Sequence, residues 1–368
     1  MTNLESTSDN ELLVLYDKTC TKAEQLHTSQ MAMKTILNSL YGAFGNGYFQ
    51  YFSLENAEAV TLTGQAMIMN IEEKLNTYLN SVMKTEKIDR VIACDTDSAY
   101  LALNDVVKAV FADTSPTTAQ VINFLDNFAK DRVSPVIQKE CLGMFDYLNN
   151  KDNFMDMKRE SIAEKGIWTA KKRYFMSVWD HEGVRYSKPE ISITGIQAVS
   201  TSTPSLCRPA LKECLNIILL KDEATLQKYV KDFKKKFFAA DIEQIAKPTG
   251  ISDIVKYTDP SGNAIKGASA HLRGAINYNK LIEEHGMIKT HEKIKNDDKI
   301  KWIYLKMPNI IQDNIIAFTD KLPKKFNLHK YVDYELQFEK TFLSPLRDIT
   351  DVIGWNLEEV NNLESLFG

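Results

Sequence analysis

A polar stretch, Asp95-Thr96-Asp97-Ser98, separates two apolar runs, Val91–Cys94 and Ala99–Leu103. Two short strands meeting at such a turn hold a pair of carboxylates at the edge of a buried sheet. Carboxylate oxygens are hard donors suited to Mg²⁺, which keeps several waters and takes substrate phosphates as further ligands. Alone, the string is a weak motif and reads first as an ordinary Asp-rich turn. A second candidate is Lys34-Thr-Ile-Leu-Asn38-Ser-Leu-Tyr41-Gly42, where Lys34, Asn38 and Tyr41 follow at intervals of four and three. That spacing puts them on one helix face. An ammonium, an amide and a phenol make a poor core stripe. A cation can hold a triphosphate and a flat ring can lie against a base pair, and Gly42 lets backbone approach a ligand. The bland alternative is a solvated face with Tyr41 half-buried. A third is Thr169-Ala-Lys171-Lys172-Arg173-Tyr174, whose basic run by itself describes a solvated surface.

The elements that must position these groups follow from periodicity. Residues 1–10 are polar, and Glu11–Ala43 is helical, ended by Gly42, Gly45 and Gly47. Residues 54–83 predict a second long helix through Ala57, Val60, Leu62, Met67, Ile71, Leu75 and Leu79. Arg90–Leu103 switches to strand character. Phe154–Ile162 and Lys172–Ile193 also read as strands, the latter broken by a hairpin turn at Asp180–Gly183. Ser202-Thr203-Pro204 predicts a capped helix start, with helices over 204–220 and 225–239. The organisation is a helical arm, a mixed body and a helical module, with no internal repeat.

With 44% hydrophobic and 26% charged residues, the 368-residue chain can bury a sizeable core, in about two domains. Its longest aliphatic run, Ile217–Leu220, is too short for a bilayer, and no secretory signal opens the chain, so no membrane partner is expected. The five cysteines include no C-x-x-C pair, consistent with reduced thiols and a cytoplasmic protein. Net charge is −4, but residues 333–368 carry eight acids against two bases, leaving a modestly basic remainder. That distribution is compatible with local DNA contacts and does not require them.

Together the Lys34–Gly42 and Asp95–Ser98 strings resemble motifs B and C of family B DNA polymerases, in their order and separation. Lys171–Tyr174 resembles the family's K-K-R-Y motif at the primer–template. The text around them, including Asn38–Asn46 and Val178–Tyr186, is similar to polymerases of T-even-type bacteriophages, from about residue 27 to the C-terminus. The resemblance implies an α+β fold: a palm with an antiparallel sheet plus helices, followed by a mainly helical thumb and preceded by one fingers helix. The implied boundaries are 1–46 for the fingers helix, 47–195 for the palm and 196–368 for the thumb with a C-terminal tail.

The activity it implies is DNA-directed DNA polymerisation by a two-metal mechanism with Mg²⁺. By similarity, Asp97 ligates the metals, Asp95 tunes their coordination and Glu160 is an auxiliary carboxylate, although Glu160 could equally form an ion pair. Lys34 would hold the triphosphate of the incoming deoxynucleotide, with Asn38 and Tyr41 lining the nascent base-pair pocket. Lys171, Lys172, Arg173 and Tyr174 would grip the primer–template, Lys172 nearest the primer end. Asp180 matches a functionally important position, but a turn-starting Asp has its own structural explanation. Arg273 and Asn277, within His271–Asn279, would face the product duplex. The clusters Lys231–Lys236 and Lys289–Lys301 could add phosphate contacts or be plain helix faces. Leu363, Leu366 and Phe367 resemble a tail that holds a sliding clamp.

No D-x-x-S-L-Y-P-S string, the family's motif A, occurs in this sequence. The expectation is therefore the C-terminal subunit of a split polymerase, inert until paired with an upstream chain carrying motif A and an exonuclease domain. An expression fragment, a truncated gene, or a non-catalytic DNA- or clamp-binding remnant are the alternatives.

Overall fold

Ser8 opens the first element as a capping box: its amide and hydroxyl both donate to the Glu11 carboxylate, at 3.2 and 2.8 Å. The structure, a computed structural model, describes residues 8–150 and 155–358. The expected clamp tail at Leu363, Leu366 and Phe367 lies outside these. The chain divides into two units, Met1–Arg159 and Glu160–Gly368.

In the first unit, α1 spans Asp9–Phe44 and α2 spans Leu54–Met83. α1 ends among the expected glycines, at the second of them. Gly42 lies inside it, and Gly45 closes it with ordinary right-handed backbone, φ −81°. α1 buries no side chain, whereas α2 buries Met67, Ile68, Ile71, Leu75 and Leu79 along one stripe. Against that stripe lie β1 (Val91–Asp95), β2 (Ser98–Leu101) and α5 (Ser134–Tyr147) in one core containing Val91, Val133 and Cys141. α3 (Asn104–Val110) and α4 (Thr118–Phe128) complete the unit.

α4 and α5 are joined without a break by a π-helical turn, Ala129–Val133, in which the Ser134 amide reaches back five residues to the Ala129 carbonyl. Pro135 explains it, since proline has no N–H to continue the ordinary ladder. The second unit repeats the device. A π turn at Glu339–Leu343 precedes Ser344-Pro345 and joins α10 (Tyr334–Phe338) to α11 (Ser344–Ile353).

The second unit begins with three antiparallel strands in the order β3-β4-β5, over Ser161–Ala170, Arg173–His181 and Val184–Thr194. The expected strand at Phe154–Ile162 is displaced, because Met155–Glu160 have no regular structure. α6 (Cys207–Leu220) starts three residues later than predicted. Thr203 is buried and donates to the Gln197 carbonyl at 2.7 Å instead of capping a helix. α7 (Glu223–Phe238) and α8 (Ile242–Ile245) follow. A second antiparallel sheet, unforeseen from the sequence, joins β6 (Lys247–Gly250), β7 (Lys299–Tyr304) and β8 (Ile315–Phe318). The α+β class with antiparallel sheets thus holds, and the helical module contains a sheet of its own.

α9 (Ala270–Glu284) crosses β8 at Gly274. A β-carbon there would lie 2.9 Å from the Ala317 amide nitrogen and 2.9 Å from a methyl of Ile315. Gly274→Ala is therefore expected to destabilise this unit by about 1–3 kcal/mol, measured by urea unfolding. No described helix is long and apolar enough to cross a membrane. None of the five cysteines is in a disulfide, and burial pushes the Cys207 thiol up to about 12.

Candidate active site

The Asp95–Asp97 turn is built by pairing that brings Asp95 opposite Ser98 and Cys94 opposite Ala99. Cys94, Ala99 and Leu101 pack on the first unit's core, so the hairpin is seated on its inner face and open at its tip. Thr96 takes left-handed backbone, φ 57°, and the Asp97 amide donates to the Asp95 carbonyl at 2.7 Å. The Thr96 hydroxyl meets the Asp95 carboxylate at 3.2 Å, and the Ser98 hydroxyl donates to the Asp95 carbonyl at 3.1 Å. Asp95 is half-buried and Asp97 exposed. The Asp97 carboxylate makes no hydrogen bond or ion pair with a described residue. Beside them burial, reinforced by the Glu72 and Asp89 carboxylates, pushes the Cys94 thiol up to about 11.

These two carboxylates are oxygen donors of the kind Mg²⁺ takes. Among the described residues no third His, Cys, Asp or Glu joins them in a metal-sized cluster. Two carboxylates leave most of such an ion's coordination sphere to phosphates, water or other oxygen donors.

The hairpin's base is fixed by Arg90, which sequence reasoning passed over. Only 2% exposed, Arg90 donates from Nε and Nη2 to Asp105 Oδ2 at 2.9 and 2.5 Å, from Nη1 to Asn80 Oδ1 at 3.0 Å and from Nη2 to the Thr85 hydroxyl at 3.2 Å. Its backbone also pairs, amide to Asn76 Oδ1 at 2.8 Å and carbonyl to the Ala102 amide at 2.8 Å. The strand bearing Asp95 is thereby tied to α2 and α3. An Arg directly before an apolar strand was the signal available. Lys34, Asn38 and Tyr41 are all exposed on α1, with Tyr41 half uncovered.

The remaining candidates belong to the second unit. Lys171 and Lys172 are the exposed two-residue loop between β3 and β4, since Ala170 pairs with Arg173. Tyr174 stacks on Trp168, with ring centroids 5.7 Å apart. Arg173 Nη2 lies 3.9 Å from Asp348. Glu160 is exposed just before β3 and has a partner.

Asp180 is fully buried at the β4–β5 hairpin. It accepts from the Gly183 amide at 3.0 Å and from Arg185 Nε at 3.1 Å, closing a turn in which Glu182 and Gly183 both have positive φ. Its turn-building role is visible in the geometry. On α9, Arg273 Nη2 reaches Asn314 Oδ1 at 2.9 Å and Asp313 Oδ1 at 3.3 Å, while Asn277 Nδ2 donates to Asp313 Oδ2 at 3.0 Å. Both side chains therefore also brace the entry to β8.

A model of DNA polymerase family B matches residues 13–130. The DNA-directed DNA polymerase of Enterobacteria phage T4 is 34% identical over 362 residues, covering 95% of this chain and 40% of that protein. That of Escherichia phage RB69 is 36% identical over 354 residues, covering 92% of this chain and 38% of that protein. A DNA polymerase of Thermococcus gorgonarius is 23% identical over 345 residues. The chain spans at most 40% of the length of these curated relatives.

Proposed function

Because the chain belongs to DNA polymerase family B, we propose that it carries the motif B helix, the motif C carboxylates and the primer–template grip of a template-directed DNA polymerase. The observation that carries this reading is Asp97: an exposed carboxylate without a described partner, on the tip of a hairpin whose Cys94, Ala99 and Leu101 are packed and whose Asp95, Thr96 and Ser98 are hydrogen-bonded.

Asp97, with Asp95 adjusting its coordination, would hold Mg²⁺, which when bound activates the primer 3′-hydroxyl and neutralises the leaving pyrophosphate. Glu160 is the auxiliary carboxylate of this reading. Lys34 binds the triphosphate, and Asn38 and Tyr41 form one wall of the nascent base pair. Lys171, Lys172, Arg173 and Tyr174 hold the primer–template. Arg273 and Asn277 present α9 to the product duplex while bracing β8. Asp180 acts by shaping the β4–β5 turn. Leu363, Leu366 and Phe367 are assigned to a sliding clamp.

The catalytic set needs a further carboxylate, and we assign it to a partner polypeptide carrying motif A and the exonuclease domain. The surface of α1 supports a protein partner: Ile36 is 64% and Leu37 69% exposed, with Leu13, Leu26 and Leu40 also uncovered. Apolar surface on this scale marks an interaction site.

The test is co-expression with a polypeptide containing D-x-x-S-L-Y-P-S, followed by primer extension with Mg²⁺. Template-dependent extension is expected. A stable assembly that binds primer–template and never extends it supports a non-catalytic DNA-binding protein instead. Within the active assembly, Lys34→Ala is expected to weaken deoxynucleotide binding by about 10- to 100-fold, the loss of a charge-assisted contact, read as a rise in KM.

A further inference from the structure

We propose that Gly195 is a positioning residue for the primer–template grip: its bare Cα seats the Lys172 carbonyl and so fixes the aim of the Lys172 side chain. The proposal rests on the reading of Lys171–Tyr174 given above.

Gly195 lies just past β5, where that strand's end pairs with the start of β4 through Tyr174 and Thr194. It has left-handed backbone, φ 66°, and Lys172 in the adjoining loop has φ 62°. A β-carbon on Gly195 would stand 2.0 Å from the Lys172 carbonyl oxygen, 3.1 Å from its carbonyl carbon and 3.3 Å from Arg173 Cγ. The first contact is with backbone, which cannot swing aside as a long side chain does. The other described glycines with positive φ, Gly183, Gly262, Gly267, Gly286 and Gly354, have open space where a β-carbon would sit. Among the described glycines, the two constraints coincide only at Gly195.

A lysine in the left-handed region is strained, and such strain persists where the surroundings over-determine it. Here three contacts over-determine the loop. The Lys172 carbonyl rests on Gly195, the Thr169 hydroxyl holds the Arg173 carbonyl at 3.1 Å, and Trp168 stacks on Tyr174. Displacing the Lys172 carbonyl rotates the peptide that follows and turns the ammonium away from a phosphate held by the grip. Gly195 acts through Lys172 and touches no substrate itself.

The test uses the full 368-residue chain and a fluorescent primer–template duplex, with Kd measured across a salt series. Lys172→Ala removes one phosphate contact, so binding is expected to weaken about five- to tenfold near ~0.1 M salt and the log–log salt slope to fall by about one. Gly195→Ala is expected to do the same, and Lys172→Ala with Gly195→Ala together to lose no more than either alone. Additive losses, an unchanged salt slope or native-like binding by Gly195→Ala overturn the proposal. If Lys172→Ala itself binds as the unmodified chain does, the grip reading is what fails.

Should Gly195→Ala not fold, hydrogen exchange on the unmodified chain decides. Protection of the Lys172 and Arg173 amides without DNA supports a pre-set loop, and free-peptide exchange rates there overturn it.

Discussion

Asp97→Ala is expected to reduce primer extension by the assembled enzyme by about 10³-fold or more, the loss of several kcal/mol of metal-assisted stabilisation. Stability should be unaffected, because the Asp97 carboxylate is exposed and bonds to no described residue. Duplex binding should also survive, since the proposed grip lies in another unit. This three-way pattern separates a metal ligand from a structural acid. Extension by the alanine variant at anything near the native rate removes Asp97 from the chemistry.

The second large effect concerns folding. Arg90→Ala is expected to cost the first unit about 3 kcal/mol, measured as a shift of its urea midpoint. Four donor contacts from a nearly inaccessible guanidinium disappear, leaving Asn80, Thr85 and Asp105 to find other partners. Asp105 is half-exposed and can be rehydrated, which limits the cost. Arg90→Lys should recover little, because a point charge cannot reproduce the planar fork.

The hydrogen bond from Arg90 also holds the Asp105 carboxyl below its ordinary value. A carboxylate lowered in the folded state adds stability above its unfolded pKa, and that stability is lost as pH falls through the folded value. Arg90→Ala should therefore flatten this part of the acid limb. A variant as stable as the parent at neutral pH would exclude Arg90 as the hairpin's anchor.

Elements held by local signals were legible. Leu54–Met83 matches the expected helix because a single apolar period runs through it and Ser53 caps it, accepting from the Asn56 amide at 3.2 Å. The Asp95–Asp97 hairpin showed itself as two apolar runs around a polar turn. Elsewhere a correct pattern had another cause. Met155 and Met157 alternate with Asp156 and Lys158 like a strand, yet the methionines simply pack on the first unit's core.

The β6–β8 sheet was invisible for a different reason. Its strands are short, and β6 pairs with β7 across an intervening helix, so no local signal defines that pairing. Of the candidate site, the charged and aromatic residues could be read directly. What positions them could not: Arg90 and Gly195 matter through partners 15 and 23 residues away in sequence, Asp105 and Lys172.

The paired π turns have a consequence for how each rod meets its neighbours. One added residue advances the angular phase of a helix by about 100°. Each rod therefore behaves as a rotary coupling, continuous in backbone but offset in facing. Before the first offset, Phe124 meets the rings of Phe111 and Phe128, and Phe128 packs on the core containing Met67, Ile71 and Leu75; after it, Ile137 and Cys141 meet that same core. In the other unit Phe338 and Phe342 meet Phe233, and Leu346 and Ile349 follow past the second offset. A single stiff rod thus keeps its apolar side on one core across the offset, with Phe128 and Ile137 on the first unit's core and Phe338 and Leu346 on the second's.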